Sequence, residues 1–450
     1  MTGLLYSLLT KRVARRAPGP RITATQAVVV VTPGAGDPCR EVGGLSLLER
    51  LFRQLSELGS VREIVVVAPP STALPEPSAR VAIPVVILRA GGRDRGRMLR
   101  AVEGRLHDRF VVVAGDLLVD ERILRWLVEQ TSDVLVRRDA DSPAELLGSI
   151  AHASLVDSAP LLPAAALMSV SDFPTYWQDR RGHVPVHCLR VARDADAEQA
   201  WKVLLDHVEK RALDLPARYF DPPFEAFLVR RLCPTGVTPN QVTVATGVFG
   251  FAVAALFGFG WLRLGVLLAI FVEVLDGVDG KLARIKHMTS RAGELEHVLD
   301  FFYENSWYVA LGLFLSTSGV RWALPAALSM VAFDLVDNLV NMAFSRFRGR
   351  NLAEASTFLS RFRLVSGRRN IYTWIFLPGF LAGRPELSFA AAAAWAGVTA
   401  AVHTVAALRE SWKPTPASSV APRRGLESIP RAVRAAPAGR DEGAIALQPR

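Results

Sequence analysis

Beyond residue 215 the apolar residues gather into long runs, whereas before it they come in short ones broken by charge and proline. One water-soluble core cannot serve both patterns, so the chain reads as a soluble half followed by a membrane half. Six apolar segments lie at roughly 240–259, 261–277, 294–316, 321–344, 370–383 and 386–407. Several approach the length of about 20 residues that a helix needs to cross the hydrocarbon. Ahead of them, Phe224, Phe227, Leu228 and Leu232 share one side of a stretch that also carries Arg230 and Arg231, the pattern of a helix lying among lipid headgroups.

The net charge of +10 belongs with this topology. No aromatic-basic pattern or zinc-finger spacing accompanies it, so nucleic acid is not an expected partner. Lys281, Arg284, Lys286 and Arg291 follow the second segment, and Arg346, Arg348, Arg350, Arg361, Arg363, Arg368 and Arg369 follow the fourth. Positive loops stay on the cytoplasmic side, which predicts a multi-pass protein of the inner cell membrane with its soluble half and tail in the cytoplasm. Cys39, Cys188 and Cys233 form no CxxC pair, so the cysteines imply neither a disulfide framework nor a zinc site. In the opening MTGLLYSLLTKRVARR the basic residues come after the apolar run, the reverse of a secretory signal, and a surface helix is expected over 1–21. Residues 409–450, rich in Pro, Ala and Arg, are expected to be disordered.

Within 22–208, β-branched runs alternate with helical patterns: Ala27–Val31, then Leu47, Leu48, Leu51, Phe52 and Leu55 on one helix face, then Ile64–Val67, Val85–Leu88, a helical stretch near Met98–Leu106, Phe110–Val113 and Val134–Val136. That order predicts an α/β domain with a doubly wound parallel sheet, its ligand site at the carboxyl ends of the strands. Pro33-Gly34-Ala35-Gly36 and Ala114-Gly115-Asp116 fall there, and the arrangement resembles the sugar-nucleotide pyrophosphorylase type of nucleotidyltransferase. The resemblance implies that Gly34 and Gly36 hold a triphosphate and that Asp116 binds its metal. Such loops carry an arginine and a lysine, whereas this one has Asp37 in the phosphate path and Arg40 as its sole cation. A like charge there costs on the order of a kcal/mol. A degenerate, non-catalytic domain is therefore expected, followed by a linker over 209–239 and an all-α six-helix transmembrane domain over 240–408.

Four acids cluster where the second and third apolar segments meet. Asp276 and Asp279 are three apart and Glu296 and Asp300 four apart, so each pair projects from one helix face. Two facing carboxylate pairs offer oxygen ligands suited to Mg²⁺ or Mn²⁺. Gly277, Gly280 and Ala283 keep the helix surface low for a nucleotide, and Arg284 is placed to meet a phosphate.

The segment LDGVDGKLARIKHMTSRAGELEHVLDF resembles the signature of the CDP-alcohol phosphatidyltransferases, with Asp276, Asp279, Gly280, Ala283, Arg284 and Gly293 in register. The resemblance implies an enzyme that passes a phospho-alcohol from a CDP-linked donor to a hydroxyl acceptor and releases CMP, as in phospholipid or inositol-phosphate synthesis. It further implies metal ligation by Asp276, Asp279 and the third acid, proton abstraction by Asp300, and a homodimer. Two departures stand out: the third acid is Glu296, and two residues, not three, separate it from Gly293. Thr238-Pro239-Asn240-Gln241 resembles the family's entry into its first spanning helix. Arg368 and Arg369 lie where inositol-phosphate transferases carry a basic motif, which implies a grip on an acceptor phosphate.

Other readings remain open from sequence. The order of the halves is similar to bifunctional enzymes that make CDP-inositol and then di-myo-inositol phosphate phosphate. A pseudoenzyme that kept the fold but lost its chemistry at Glu296 is the second. A transporter built on Asp334 and Asp337 lacks the paired repeats that such proteins carry.

Overall fold

The β-branched runs of the soluble half become the centre of a seven-stranded sheet. The strands are β1 (Thr25–Val30), β2 (Val61–Ala68), β3 (Val85–Arg89), β4 (Arg109–Ala114), β5 (Val134–Arg137), β6 (Ala144–Ala151) and β7 (Ala166–Ser169), ordered β7-β5-β6-β4-β1-β2-β3. This computed structural model describes residues 25–32, 36–91, 95–138, 144–151, 166–177, 182–210, 214–288 and 293–413. Gly34, the segment before residue 25 and the tail after residue 413 lie outside the described residues, as does the side chain of Glu296.

In the middle of the sheet Val28 pairs with Val65 on one side and Val112 on the other, both in parallel. All three are at most 2% exposed, the continuous burial that a sheet covered on both faces imposes. One expectation needs correcting, because the sheet is mixed: β6 runs antiparallel to both β4 and β5. Its sequence, AELLGSIA, lacks the β-branched run that marks the other strands. At its centre Gly148 lies so close to β5 that a Cβ would fall 2.3 Å from the Val134 carbonyl oxygen.

The longer helices of this domain are α1 (Leu47–Glu57), α2 (Glu121–Val128) and α3 (Asp194–Val208). Ser46 caps α1 by accepting from the Glu49 amide, and the predicted apolar face, Leu47 to Leu55, is buried.

The second half is helical: α4 (Asp221–Leu232), α5 (Pro239–Gly258), α6 (Leu262–Ile285), α7 (Gly293–Thr317), α8 (Ala323–Arg348), α9 (Arg369–Leu381) and α10 (Pro385–Trp412). The six expected apolar segments correspond to α5 through α10. Each of those six contributes to one core, through Val253 and Phe257, Val266, Tyr303 and Trp307, Met330, Phe376 and Phe389. Outside that core the bundle is apolar too, with Val244, Val248, Leu264, Leu267, Leu328 and Leu387 exposed. A soluble protein rarely shows so broad an apolar exterior, and lipid is the solvent that fits it. Among the described residues only α5, α8 and α10 are long and apolar enough to cross a bilayer by those criteria alone. The 13-residue α9 is short, and α6 carries the acids.

The halves pack together. Val42, Leu47, Leu118 and Trp201 join Val229, Cys233, Leu282 and Ile285 in one buried cluster. At its edge Arg50 and Arg53 of α1 donate to the carbonyls of Ile285 and Lys286, at 2.6 and 2.7 Å. Two guanidinium groups thus cap the carboxyl end of α6, where the orphan carbonyls and the helix dipole favour positive charge.

Candidate active site

Asp276 and Asp279 sit one turn apart in the second half of α6, and each is held by a partner from another helix. Asp276 Oδ2 accepts from Arg369 Nη2 at 2.7 Å. Arg369, 8% exposed, also lies 3.1 Å from Glu304 Oε1 and donates to the Tyr303 hydroxyl. A buried guanidinium survives because its fork meets two carboxylates and a phenol from α6 and α7 at once. The charge of Asp300, one turn before Glu304, also reaches Arg369 and Tyr303.

Asp279 is 2% exposed, and its Oδ2 accepts from Thr243 Oγ1 at 2.6 Å. The start of α5 places that threonine. Pro239 opens the helix, and Thr238 and Gln241 form a reciprocal capping box, the Thr238 amide donating to Gln241 Oε1 at 2.9 Å. The entry motif read from sequence therefore serves the acid site by fixing the first turn of α5.

Gly277 does something other than clear a path for a nucleotide. A Cβ there would lie 1.5 Å from Glu225 Oε1, so the space belongs to the Glu225 side chain of α4. Glu225 in turn meets Lys281 Nζ at 2.5 Å, and Lys281 also pairs with Glu209. Burial pushes the Glu225 carboxyl above its usual range although Lys281 opposes the shift. Gly277 is thus the notch through which the juxtamembrane helix locks onto α6.

A Cβ on Gly280 would lie 3.2 Å from the Arg284 guanidinium, which covers that glycine. Ala283 and Arg284 line a cavity of about 80 Å³ against the N-terminal domain, together with Arg50, Trp177, His187 and His207. Gly293 is the first residue of α7, and Arg368 precedes α9 in extended conformation. Arg369, expected to grip an acceptor, is instead committed to Asp276, Glu304 and Tyr303. Sequence reading missed Glu304, Glu225 and Lys281, although Glu304 lies four residues, one helical turn, after Asp300.

In the N-terminal domain, the described residues beside the expected nucleotide loop are engaged by the chain itself. Asp116, 4% exposed, accepts from the Gly36 amide at 3.1 Å and lies 3.2 Å from Arg190 Nε. A Cβ on Gly36 would fall 2.6 Å from the Val191 carbonyl oxygen, so this glycine serves a close approach of backbone to backbone. Arg40, the loop's cation, pairs with Asp194.

Comparison with known proteins agrees with both halves. Residues 236–405 match the CDP-alcohol phosphatidyltransferase family. The helical half is a CDP-alcohol phosphatidyltransferase domain. Residues 38–182 match the MobA-like NTP transferase domain. A bifunctional IPC transferase and DIPP synthase of Thermococcus kodakarensis is 31% identical over 153 residues, 33% of this chain and 34% of that protein. One of the same description from Aquifex aeolicus is 30% identical over 136 residues, 30% of each chain. An inner membrane protein of Escherichia coli is 30% identical over 89 residues, 19% of this chain and 43% of that one. The chain matches these relatives over about a fifth to a third of its length and spans less than half of theirs. The apolar exterior and the three helices long and apolar enough to cross a bilayer mark this as a membrane protein.

Proposed function

We propose that the phosphatidyltransferase domain transfers a phospho-alcohol from a CDP-linked donor to an acceptor hydroxyl and that the N-terminal domain has no nucleotidyltransferase activity. The single observation that carries this is the pairing of Asp276 and Asp279 on one face of α6, each fixed by a partner from a different helix. Carboxylate oxygens suit Mg²⁺ or Mn²⁺, and Asp276, Asp279, Glu296 and Asp300 are the residues that would hold such an ion. A bound divalent ion would neutralise charge on the donor's diphosphate.

The chain's own groups do the rest. Arg369 keeps Asp276 oriented, and Thr243 does the same for Asp279. Arg284, whose guanidinium lies over Gly280, and the neighbouring Ala283 receive the cytidine diphosphate, with Gly293 opening the facing helix. Asp300 takes the proton of the acceptor hydroxyl as the new oxygen–phosphorus bond forms, the bond from that phosphorus to CMP breaks, and CMP leaves with the bonding pair. Arg368 meets a phosphate on the acceptor.

Domain limits at 22–208, 209–239 and 240–408, a cytoplasmic N-terminal domain, a cytoplasmic tail, residence in the inner membrane and a homodimer belong to the same reading. Lys281, Lys286 and the arginines after α8 support the orientation. What supports an inactive N-terminal domain is Asp116, whose carboxylate is taken by the Gly36 amide and Arg190. The test is CMP release by the full chain in detergent, with Mg²⁺ or Mn²⁺, across CDP-linked donors and hydroxyl acceptors. Metal-dependent release with at least one pair is expected; its absence across a broad panel would support the pseudoenzyme reading.

A further inference from the structure

Where the N-terminal domain faces the end of α6, three metal-ligating side chains converge that neither the transfer chemistry nor the nucleotide loop uses. Asp120 caps α2, His187 lies in the loop before the short strand Cys188–Arg190, and His207 is in the last turn of α3. All three are buried, at 0%, 8% and 9% exposure.

Asp120 Oδ2 is 3.4 Å from His187 Nδ1 and 3.5 Å from His207 Nδ1. The two imidazoles meet edge to face at 4.6 Å between centroids. These separations are long for N–H···O hydrogen bonds, which run at about 2.7–3.2 Å. Oδ2 already accepts from Arg122 Nη2 at 2.7 Å, while Oδ1 accepts from Arg122 Nε and the Arg122 amide. One remaining lone pair on Oδ2 cannot serve two imidazoles. His187 Nδ1 is buried and makes no hydrogen bond. Nitrogen and oxygen ligands about 2.0–2.2 Å from a tetrahedral ion, by contrast, lie about 3.3–3.6 Å from one another.

The geometry points to a second metal centre: Asp120, His187 and His207 hold a divalent transition ion, Zn²⁺ by its ligand chemistry, with the fourth position open to the 80 Å³ cavity. Arg122 then acts as the outer partner that orients the carboxylate, bracing itself on the carbonyls of Val184 and Pro185. Glu57 and Glu121 line the same cavity, as do Arg50 and Arg284. The ion ties the last turn of α3, the helix that leads toward the membrane half, to the body of the N-terminal domain, beside the Arg50 and Arg53 cap on α6. No cysteine takes part, which is why cysteine spacing holds no trace of it.

The test of this site needs no substrate. Full-length protein purified in detergent carries about one zinc per chain by mass spectrometry of the elements, and chelation removes it. His187→Gln and His207→Ala each lower that content to less than about a tenth, whereas Asp276→Asn, in the other acid cluster, leaves it unchanged. Cobalt taken up in place of zinc shows the visible bands of a tetrahedral site. Because a histidine variant can lose metal by unfolding, the wild-type melting temperature supplies a second readout: it falls on chelation and returns with Zn²⁺ but not with Mg²⁺. Wild-type protein with only background zinc and no such return overturns the proposal. So does zinc that survives both histidine substitutions or leaves with Asp276→Asn.

Discussion

Two aspartates in this chain each stand beside a glycine, and their surroundings differ. Asp276 in α6 meets an arginine whose guanidinium also serves Glu304 and Tyr303, so the carboxylate is oriented and still partly open, with 30% of its side chain exposed. Asp116, after β4, is 4% exposed, with the Gly36 backbone and Arg190 closed over it. Orientation by a neighbour that leaves one side free suits a ligand site; enclosure by the protein's own backbone suits a structural joint. Residue type alone does not separate the two.

The strongest way to break this comparison is at the second acid of α6. Asp279→Asn keeps the Thr243 contact but halves the local charge, and CMP release should fall about 1,000-fold, or about 4 kcal/mol of barrier. A loss of less than tenfold would move the chemistry elsewhere.

The notch at Gly277 comes next. Gly277→Ala pushes Glu225 off α6 and leaves Lys281 with a single carboxylate, which should cost about 3 kcal/mol of stability. The melting temperature in detergent should drop and partly recover in Gly277→Ala with Glu225→Ala. No drop would mean that Glu225 has other room.

A smaller effect is expected at the orienting arginine. Arg369→Lys keeps the charge but loses the fork that spans Asp276 and Glu304, so kcat should fall about tenfold with little change in KM for the donor. A change confined to the KM for a phosphorylated acceptor would return Arg369 to acceptor binding.

The smallest expected effect is a pH dependence at the juxtamembrane helix. Asp221 is 1% exposed, and burial, then the charges of Glu225 and Asp214, push its carboxyl up to about 7. An unfolded aspartate ionises near about 3.9. The folded chain therefore keeps a proton that the unfolded chain releases, and the stability this brings is complete below about 3.9 and lost as pH rises through about 7. The melting-temperature advantage of Asp221→Asn over the wild type should grow from pH 5 to pH 8, as the buried carboxyl of the wild type gives up its proton. Equal melting at both values would place the proton on another group.

Much of this was legible in the chain. Six long apolar runs announced six bundle helices, and Asp276, Asp279 and the Thr238–Gln241 box were visible because helical spacing converts directly into shared faces. Partners from distant segments were not visible. Arg369 reaches Asp276 across 93 residues and Lys281 reaches Glu225 across 56, and no local pattern encodes such pairings. Gly277 shows the same limit: sequence marks a glycine that keeps a surface low, and only the fold shows that Glu225 fills the space. Strand β6 escaped for a different reason, since AELLGSIA has a helical composition and its neighbours alone make it a strand.

One preparation of the full chain can decide the central claim, that transfer chemistry belongs to the helical half and not to the sheet domain. Given a preformed CDP-alcohol, an acceptor, Mg²⁺ and labelled CTP, it should release CMP from the CDP-alcohol and leave the CTP intact, with no pyrophosphate formed. Pyrophosphate from CTP together with an alcohol phosphate, or an absence of CMP when every donor class has been offered, would contradict it.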